Sequence, residues 1–167
     1  MSYSLSRERD LVVLYVEDEA EVRESFANML RGKFDNLFVA ENGEEALRYF
    51  ESNRVDIVIS DIIMPKINGV KLAREIKKQS PSTFVMLVTA SSDYEYLVEA
   101  IEIGVNRFIM KPVNMRNFFE ILELVCSEQK IKKELAEKDK LLNEYKMAVD
   151  ASNIVSKTKT IFRNLKI

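Results

Sequence analysis

The chain of 167 residues contains no histidine. That absence excludes imidazole general-base catalysis, histidine metal ligands and a phosphohistidine carried by the chain itself. It has a single cysteine, Cys126, so no intrachain disulfide forms, and a reducing, cytoplasmic setting is the natural reading. No apolar run approaches the ~18 residues of a membrane span. The first such run, Leu11 to Val16, follows a polar start and is too short for a signal peptide, so neither a leader nor a membrane segment is expected. Charge of one sign is lacking too. A net charge of -2 gives no overall basic field, so no nucleic-acid partner is expected. What is present, 47% hydrophobic and 31% charged residues, is the composition of an ordinary globular protein. The length fits one domain plus an appendage.

The apolar residues fall into short continuous runs separated by amphipathic stretches. Leu11 to Val16 reads as a strand that ends on Glu17-Asp18-Glu19. Val22, Phe26, Met29 and Leu30 share one helical face, and Gly32 stops that helix. Leu37 to Ala40 is a second strand, Asn42-Gly43 turns the chain, and Ala46, Leu47 and Phe50 mark a second helix. Val55 to Ser60 is a third strand ending at Asp61, after which Met64-Pro65 and Asn68-Gly69 break the chain. A helix over Gly69 to Gln79 leads to a fourth strand, Phe84 to Val88, ending at Thr89-Ala90. Ser92 or Asp93 caps a fourth helix that Gly104 ends. Arg107 to Met110 is the fifth strand, Lys111-Pro112 follows it, and Asn114 caps the fifth helix.

Runs that are apolar throughout suit strands covered on both faces. Strands alternating with helices predict an α/β domain over residues 10–126: a flavodoxin-like, doubly wound, five-stranded parallel sheet in the order 2-1-3-4-5.

After Cys126 the composition shifts to Glu, Lys, Gln, Asp and Leu. Ile121, Leu135, Leu142 and Val149 fall on one heptad position, and Leu124, Ile131 and Tyr145 on the other. Glu128 and Lys138 interrupt the two rows. The fifth helix is therefore expected to run on as a coiled-coil extension over residues 127–150, with a homodimer through the helix after Cys126. The competing reading is a single, solvated, charged helix. Residues 151–167 form a fragment too short for a core of its own.

The polar residues at the strand ends carry the chemistry. Glu17-Asp18, Asp61, Thr89 and Lys111 lie just past the carboxyl ends of strands one, three, four and five. In the expected order these strands are neighbours, so all these groups open onto one crevice at the switch point of the sheet. Carboxylates gathered so closely repel one another. Glu17, Asp18 and Asp61 offer the oxygen ligands that Mg2+ takes. A cation, a lysine, a hydroxyl donor and a free carboxylate oxygen make a site for phosphoryl transfer to a carboxylate nucleophile.

These motifs in this order resemble the receiver domain of bacterial two-component response regulators, of the chemotaxis-receiver type. The resemblance implies that Asp61 accepts a phosphoryl group from a phosphohistidine on a histidine kinase or a histidine phosphotransfer protein. It implies that Glu17, Asp18, Asp61 and the backbone carbonyl of Ile63 hold Mg2+, and that Lys111 and Thr89 engage the phosphoryl oxygens. It makes Thr89 and Phe108 the switch residues, acting on the surface of helix 4, strand 5 and helix 5. Phe108 stands where many relatives have tyrosine and has no hydroxyl to donate. The family's Lys-Pro bond is cis, which Lys111-Pro112 matches in sequence. Ile63 and Ser91 occupy the positions that line the approach of water, and an apolar Ile63 implies slow self-dephosphorylation. Apart from that slow loss and the transfer itself, no enzyme activity is implied. Separately, the run from Glu144 to Val155 resembles the lead-in helix and first strand of a PAS domain.

Two rival readings belong to other classes. One is a vestigial receiver acting as a constitutive dimerisation or docking module; the complete set of acids, threonine and lysine speaks against it. The other is a carboxylate-nucleophile phosphatase, which wants a second acid two residues after the nucleophile, where this chain has Ile63.

Overall fold

The computed structural model describes residues 7–90 and 94–164. Its elements run β1 (Glu8–Val16), α1 (Ala20–Arg31), β2 (Phe34–Ala40), α2 (Gly43–Ser52), β3 (Ile57–Asp61), α3 (Gly69–Gln79), β4 (Phe84–Thr89), α4 (Tyr94–Ile103), β5 (Arg107–Met110) and α5 (Met115–Asn164). The five strands form one sheet in the order β2-β1-β3-β4-β5, every neighbouring pair parallel. This is the flavodoxin-like order expected from the sequence. Ser91, Ser92 and Asp93, assigned above to the approach of water and to the cap of α4, lie outside the described residues. The chain divides into two units, Met1–Gln129 and Lys130–Ile167.

Strand side chains alternate between faces, so each apolar run feeds two cores. Leu11, Val13 and Tyr15 of β1 join Ile57, Ile59 and Met86 beneath α1 and the first turns of α5. Leu14, Val16, Val58, Val85 and Leu87 point the other way, against α2, α3 and α4. Fully burying one such side chain stabilises the fold by about 1.5–3 kcal/mol. Phe118 of α5 anchors the first core, fully buried and edge-on to Phe26 at 4.9 Å between ring centroids.

Helix ends follow local chemistry. Asn42 caps α2 by accepting from the amides of Glu44 and Glu45, and Asn68 caps α3 by accepting from Lys71. Asn114 Oδ1 accepts from the Asn117 amide at 3.1 Å, the expected cap of α5. Gly104 follows α4 at φ 86, a left-handed conformation that glycine adopts without strain. Gly32 differs: it ends α1 at φ -66, so helical backbone and not left-handed freedom suffices there.

Two findings at the ends of the chain depart from the sequence reading. β1 and β2 start earlier than their apolar cores, because Glu8 pairs with Phe34 across an irregularity in register. At the other end, α5 continues through Ile154 and Val155, where the PAS resemblance implies a strand. A helix satisfies its own backbone groups, whereas a strand needs a neighbour to pair with.

Lys33 drew no attention in the sequence and is fully buried between α1 and β2. Its ammonium lies 2.5 Å from Glu123 Oε1 of α5 and 5.8 Å above the Phe34 ring. A buried ammonium is tolerated only where a carboxylate compensates it. This pair fixes the rotation of α5 against the sheet within the first unit.

Candidate functional site

The sheet register brings the strand ends level with one another. Val16 pairs with Ser60, Asp61 with Val88, and Thr89 with Met110. The residues that follow then leave the sheet along one edge. The Glu17 amide donates to Ala40 O, Ile62 N to Val88 O, and Lys111 N to Thr89 O. Four side chains chosen from the sequence are therefore neighbours: Glu17, Asp18, Asp61 and Lys111.

Glu17, Asp18 and Asp61 each present a carboxylate oxygen, and these oxygens lie within 4.8 Å of one another. Glu17 and Asp61 are buried, and Asp18 is exposed. Lys111 Nζ donates to Asp61 Oδ2 at 2.6 Å and stands 3.8 Å from Glu17 Oε2. The second oxygen of Asp61, Oδ1, accepts from the Ile62 amide at 2.7 Å. Each oxygen of the aspartate is thus held by a different donor, which fixes the plane of the carboxylate. Thr89 is fully buried, and its hydroxyl donates to Ala90 O at 3.0 Å. Phe108 is half-buried against the core on the α4 side. Ile63 is exposed, and the Lys111-Pro112 bond is cis.

The electrostatics follow from burial. Burial pushes the Glu17 carboxyl above the usual carboxylate range, the Asp61 charge adds to the rise, and Lys111 opposes it. For Lys111, burial alone would lower the ammonium. The hydrogen bond it donates to Asp61 and the charges of Asp61, Glu17 and Asp18 outweigh burial and hold it above its ordinary value. Burial, with Glu17 and Asp61 adding, also pushes the Tyr15 phenol up. The donor set consists of hard oxygen ligands at mutually repulsive spacing. It fits a divalent cation such as Mg2+, which would relieve that repulsion.

A pH dependence follows. The folded-state pKa of Glu17 lies above its unfolded value, so its protonated form favours the fold. That contribution is complete below the unfolded pKa and is lost as pH rises through the folded one. At neutral pH without a divalent cation, Glu17→Gln is expected to stabilise the protein by about 0.5–2 kcal/mol, the usual gain when one unfavourable site is relieved. The gain should vanish toward acid pH. Urea unfolding in a chelator across pH measures it; a variant no more stable than wild type at neutral pH refutes the account.

Two residues of the site escaped the sequence reading. Arg23 of α1 reaches back, its Nη1 donating to Glu17 O at 2.9 Å and Asp18 O at 2.8 Å, and so pins the acidic loop. An arginine one turn into a helix that follows acids is a weak signal, since most such residues face water. Gly69 reads as a chain break in the sequence. In the fold, a Cβ there would lie 2.1 Å from the backbone oxygen of Asp61. The loop folds back so closely that α3 starts against the backbone of Asp61.

The family model for the response regulator receiver domain matches residues 13–123. Among curated proteins, a cyclic di-GMP phosphodiesterase of Thermotoga maritima is 37% identical over 105 residues, covering 63% of this chain and 28% of that protein. The chemotaxis protein CheY of Listeria monocytogenes is 32% identical over 114 residues, covering 68% of this chain and 96% of that one. A probable transcriptional regulator, ycf27, of Cyanidium caldarium is 30% identical over 156 residues; the chain spans 60% of its length. Among solved structures, a CheY-like receiver domain protein from Methanospirillum hungatei superposes with a TM-score of 0.68 at 26% identity, covering 76% of this chain and 99% of that one. The chain spans less than a third of the Thermotoga protein. By the match over residues 13–123, this chain belongs to the response regulator receiver domain family.

Proposed function

We propose that the chain is the phosphoacceptor module of a two-component phosphorelay, with Asp61 as acceptor. An oxygen of the Asp61 carboxylate attacks the phosphorus of a phosphohistidine on a histidine kinase or phosphotransfer protein. The P–N bond breaks, its electron pair returns to the imidazole nitrogen, and a P–O bond to Asp61 forms. The observation that carries this reading is the Asp61 carboxylate: held by Lys111 at 2.6 Å and flanked by Glu17 and Asp18.

Receiver domains bind Mg2+ at an acidic pocket. Here Glu17, Asp18, Asp61 and the Ile63 backbone carbonyl would hold it, and the bound ion supplies neutralisation of charge on the phosphoryl oxygens. Lys111 balances the charge of the product from the other side. Thr89 gives up its bond to Ala90 to meet a phosphoryl oxygen, and Phe108 repacks with it, which shifts the surface of α4, β5 and α5. Exposed apolar residues on that surface, Val98, Ile101 and Met110, support its use for docking. The helix after Cys126 is where we place a second copy of the chain.

The test is Mg2+-dependent labelling by acetyl phosphate and Mg2+-dependent binding of beryllofluoride. Both are expected for the wild type. Failure of both leaves a vestigial receiver that docks without phosphorylation. Ile63 offers no polar group to orient an attacking water, and its side chain is exposed. The phosphorylated protein is therefore expected to decay slowly, and Ile63→Asn to decay faster. A wild-type lifetime of seconds contradicts this part.

A further inference from the structure

Glu17 and Asp18 are neighbours in sequence, and successive side chains of a strand point to opposite faces. Both carboxylates nevertheless meet Asp61, the three oxygens lying within 4.8 Å of one another. β1 ends at Val16, and the chain bends at Asp18 and Glu19 before α1 begins. That bend has to be held, because the carboxylates it brings together repel. The N-cap of α1, Glu19, gives no help, since its side chain makes no capping bond. Among the described residues, no backbone amide donates to Glu17 O or Asp18 O. Both carbonyls accept instead from one nitrogen, Arg23 Nη1, at 2.9 and 2.8 Å. The guanidinium makes no ion pair among the described residues, although Glu19, Glu21 and Glu24 stand close in sequence. Its donors go to backbone rather than to the acids around it.

We propose that Arg23 is a positioning residue for the divalent-cation site. By gathering two successive carbonyls it holds the bend that turns Glu17 and Asp18 toward Asp61, and so it sets the affinity for Mg2+ without touching the ion. The inference rests on the reading of Glu17, Asp18 and Asp61 as the Mg2+ ligands. Asp61 does not depend on Arg23, because the Ile62 amide and Lys111 hold its two oxygens. Removing the guanidinium therefore loosens two ligands and leaves the proposed acceptor in place. Through space alone the guanidinium has the opposite effect, since a positive charge beside a cation site weakens binding. The sign of the change in affinity separates the two roles. Loss of an outer contact that orients metal ligands costs about 10–100-fold in affinity. Glu17 Oε1 still accepts from the Glu19 amide at 3.3 Å without Arg23, so the lower end of that range applies.

The experiment uses the full chain. Mg2+ alone is titrated into the protein and followed by amide chemical shifts, which reads Kd with no phosphodonor present. The wild type is expected to bind. Arg23→Gln, whose amide stops short of both carbonyls, is expected to raise Kd about 10-fold. In acetyl phosphate labelling, the Mg2+ concentration at half-maximal rate should rise by the same factor, while the rate at saturating Mg2+ stays near that of the wild type. A residue that only stabilised α1 would lower the urea midpoint and leave both Mg2+ readings where they were. An unchanged Kd in Arg23→Gln therefore overturns the positioning role, and a tighter one overturns it in favour of charge alone. If circular dichroism shows Arg23→Gln unfolded, Arg23→Lys takes its place. Its side chain is one atom shorter and keeps the charge, so a smaller rise in Kd is expected, and an unchanged Kd again overturns the proposal. A wild type that binds no Mg2+ overturns the reading of the cation site and this inference with it. A wild type that binds, with Arg23→Gln binding equally well, overturns the inference alone.

Discussion

Asp61→Asn is expected to abolish phosphoryl labelling by acetyl phosphate while leaving the protein folded. The amide has almost the volume of the acid, so the buried site stays filled. It is a poor nucleophile and carries no charge for Lys111 or a divalent cation to organise. Both oxygens of Asp61 are held, one by the Ile62 amide at 2.7 Å and one by Lys111 at 2.6 Å. Glu17 has a looser version of that arrangement, with Oε1 accepting from the Glu19 amide at 3.3 Å. Glu17 stands farther from the lysine, at 3.8 Å, and Asp18 is exposed. Labelling should fall more than about 100-fold, a factor that corresponds to only about 2.7 kcal/mol of barrier and so understates the loss of a nucleophile. Phosphate-sensitive electrophoresis with hydroxylamine treatment reads the acyl phosphate directly. Labelling of Asp61→Asn at the wild-type rate would place the acceptor elsewhere. An unfolded variant would show in its circular dichroism and be replaced by Asp61→Ala.

Gly69→Ala is expected to be the most damaging small substitution in the first unit. A methyl group there would lie 2.1 Å from the backbone oxygen of Asp61 and 3.0 Å from its carbonyl carbon. Neither atom belongs to a flexible side chain, so the whole turn must move. Overpacking of this kind costs about 1–3 kcal/mol, and more where the backbone cannot yield. The same shift would displace Asp61, so labelling should slow along with the loss of stability if Asp61 is the acceptor proposed above. Gly104→Ala is the control. It sits at φ 86, and a Cβ there meets nothing within 4 Å. It should lose about 1 kcal/mol from backbone strain alone, with labelling unaffected. Urea denaturation and labelling rates measured on both variants separate the two causes. If Gly69→Ala is as stable and as reactive as wild type, the close approach does not hold.

Much of the sheet and of the site was legible along the chain. Apolar runs such as Val55 to Ser60 are strands because both of their faces are buried, and that shows locally. The carboxylates, threonine and lysine stand at strand ends, so the topology alone predicts their meeting. The boundaries of β1 and β2 were not legible. Glu8 and Phe34 pair by register, which is a relation between distant residues. Arg23 was not legible either, because only the fold shows its guanidinium reaching the carbonyls of Glu17 and Asp18.

The sequence by itself determined the order of elements, the family and the membership of the acidic site. Those depend on periodicity and on residues adjacent to strand ends, both of which are local. The tertiary structure alone decided the close contacts away from the strand ends or too tight for spacing to show. It placed Lys33 of the α1–β2 corner, fully buried, against Glu123 of α5. It set Gly69 against the backbone of Asp61. In both, a charge or a missing methyl group matters only because of what packs beside it. Composition and spacing carry no record of that neighbour.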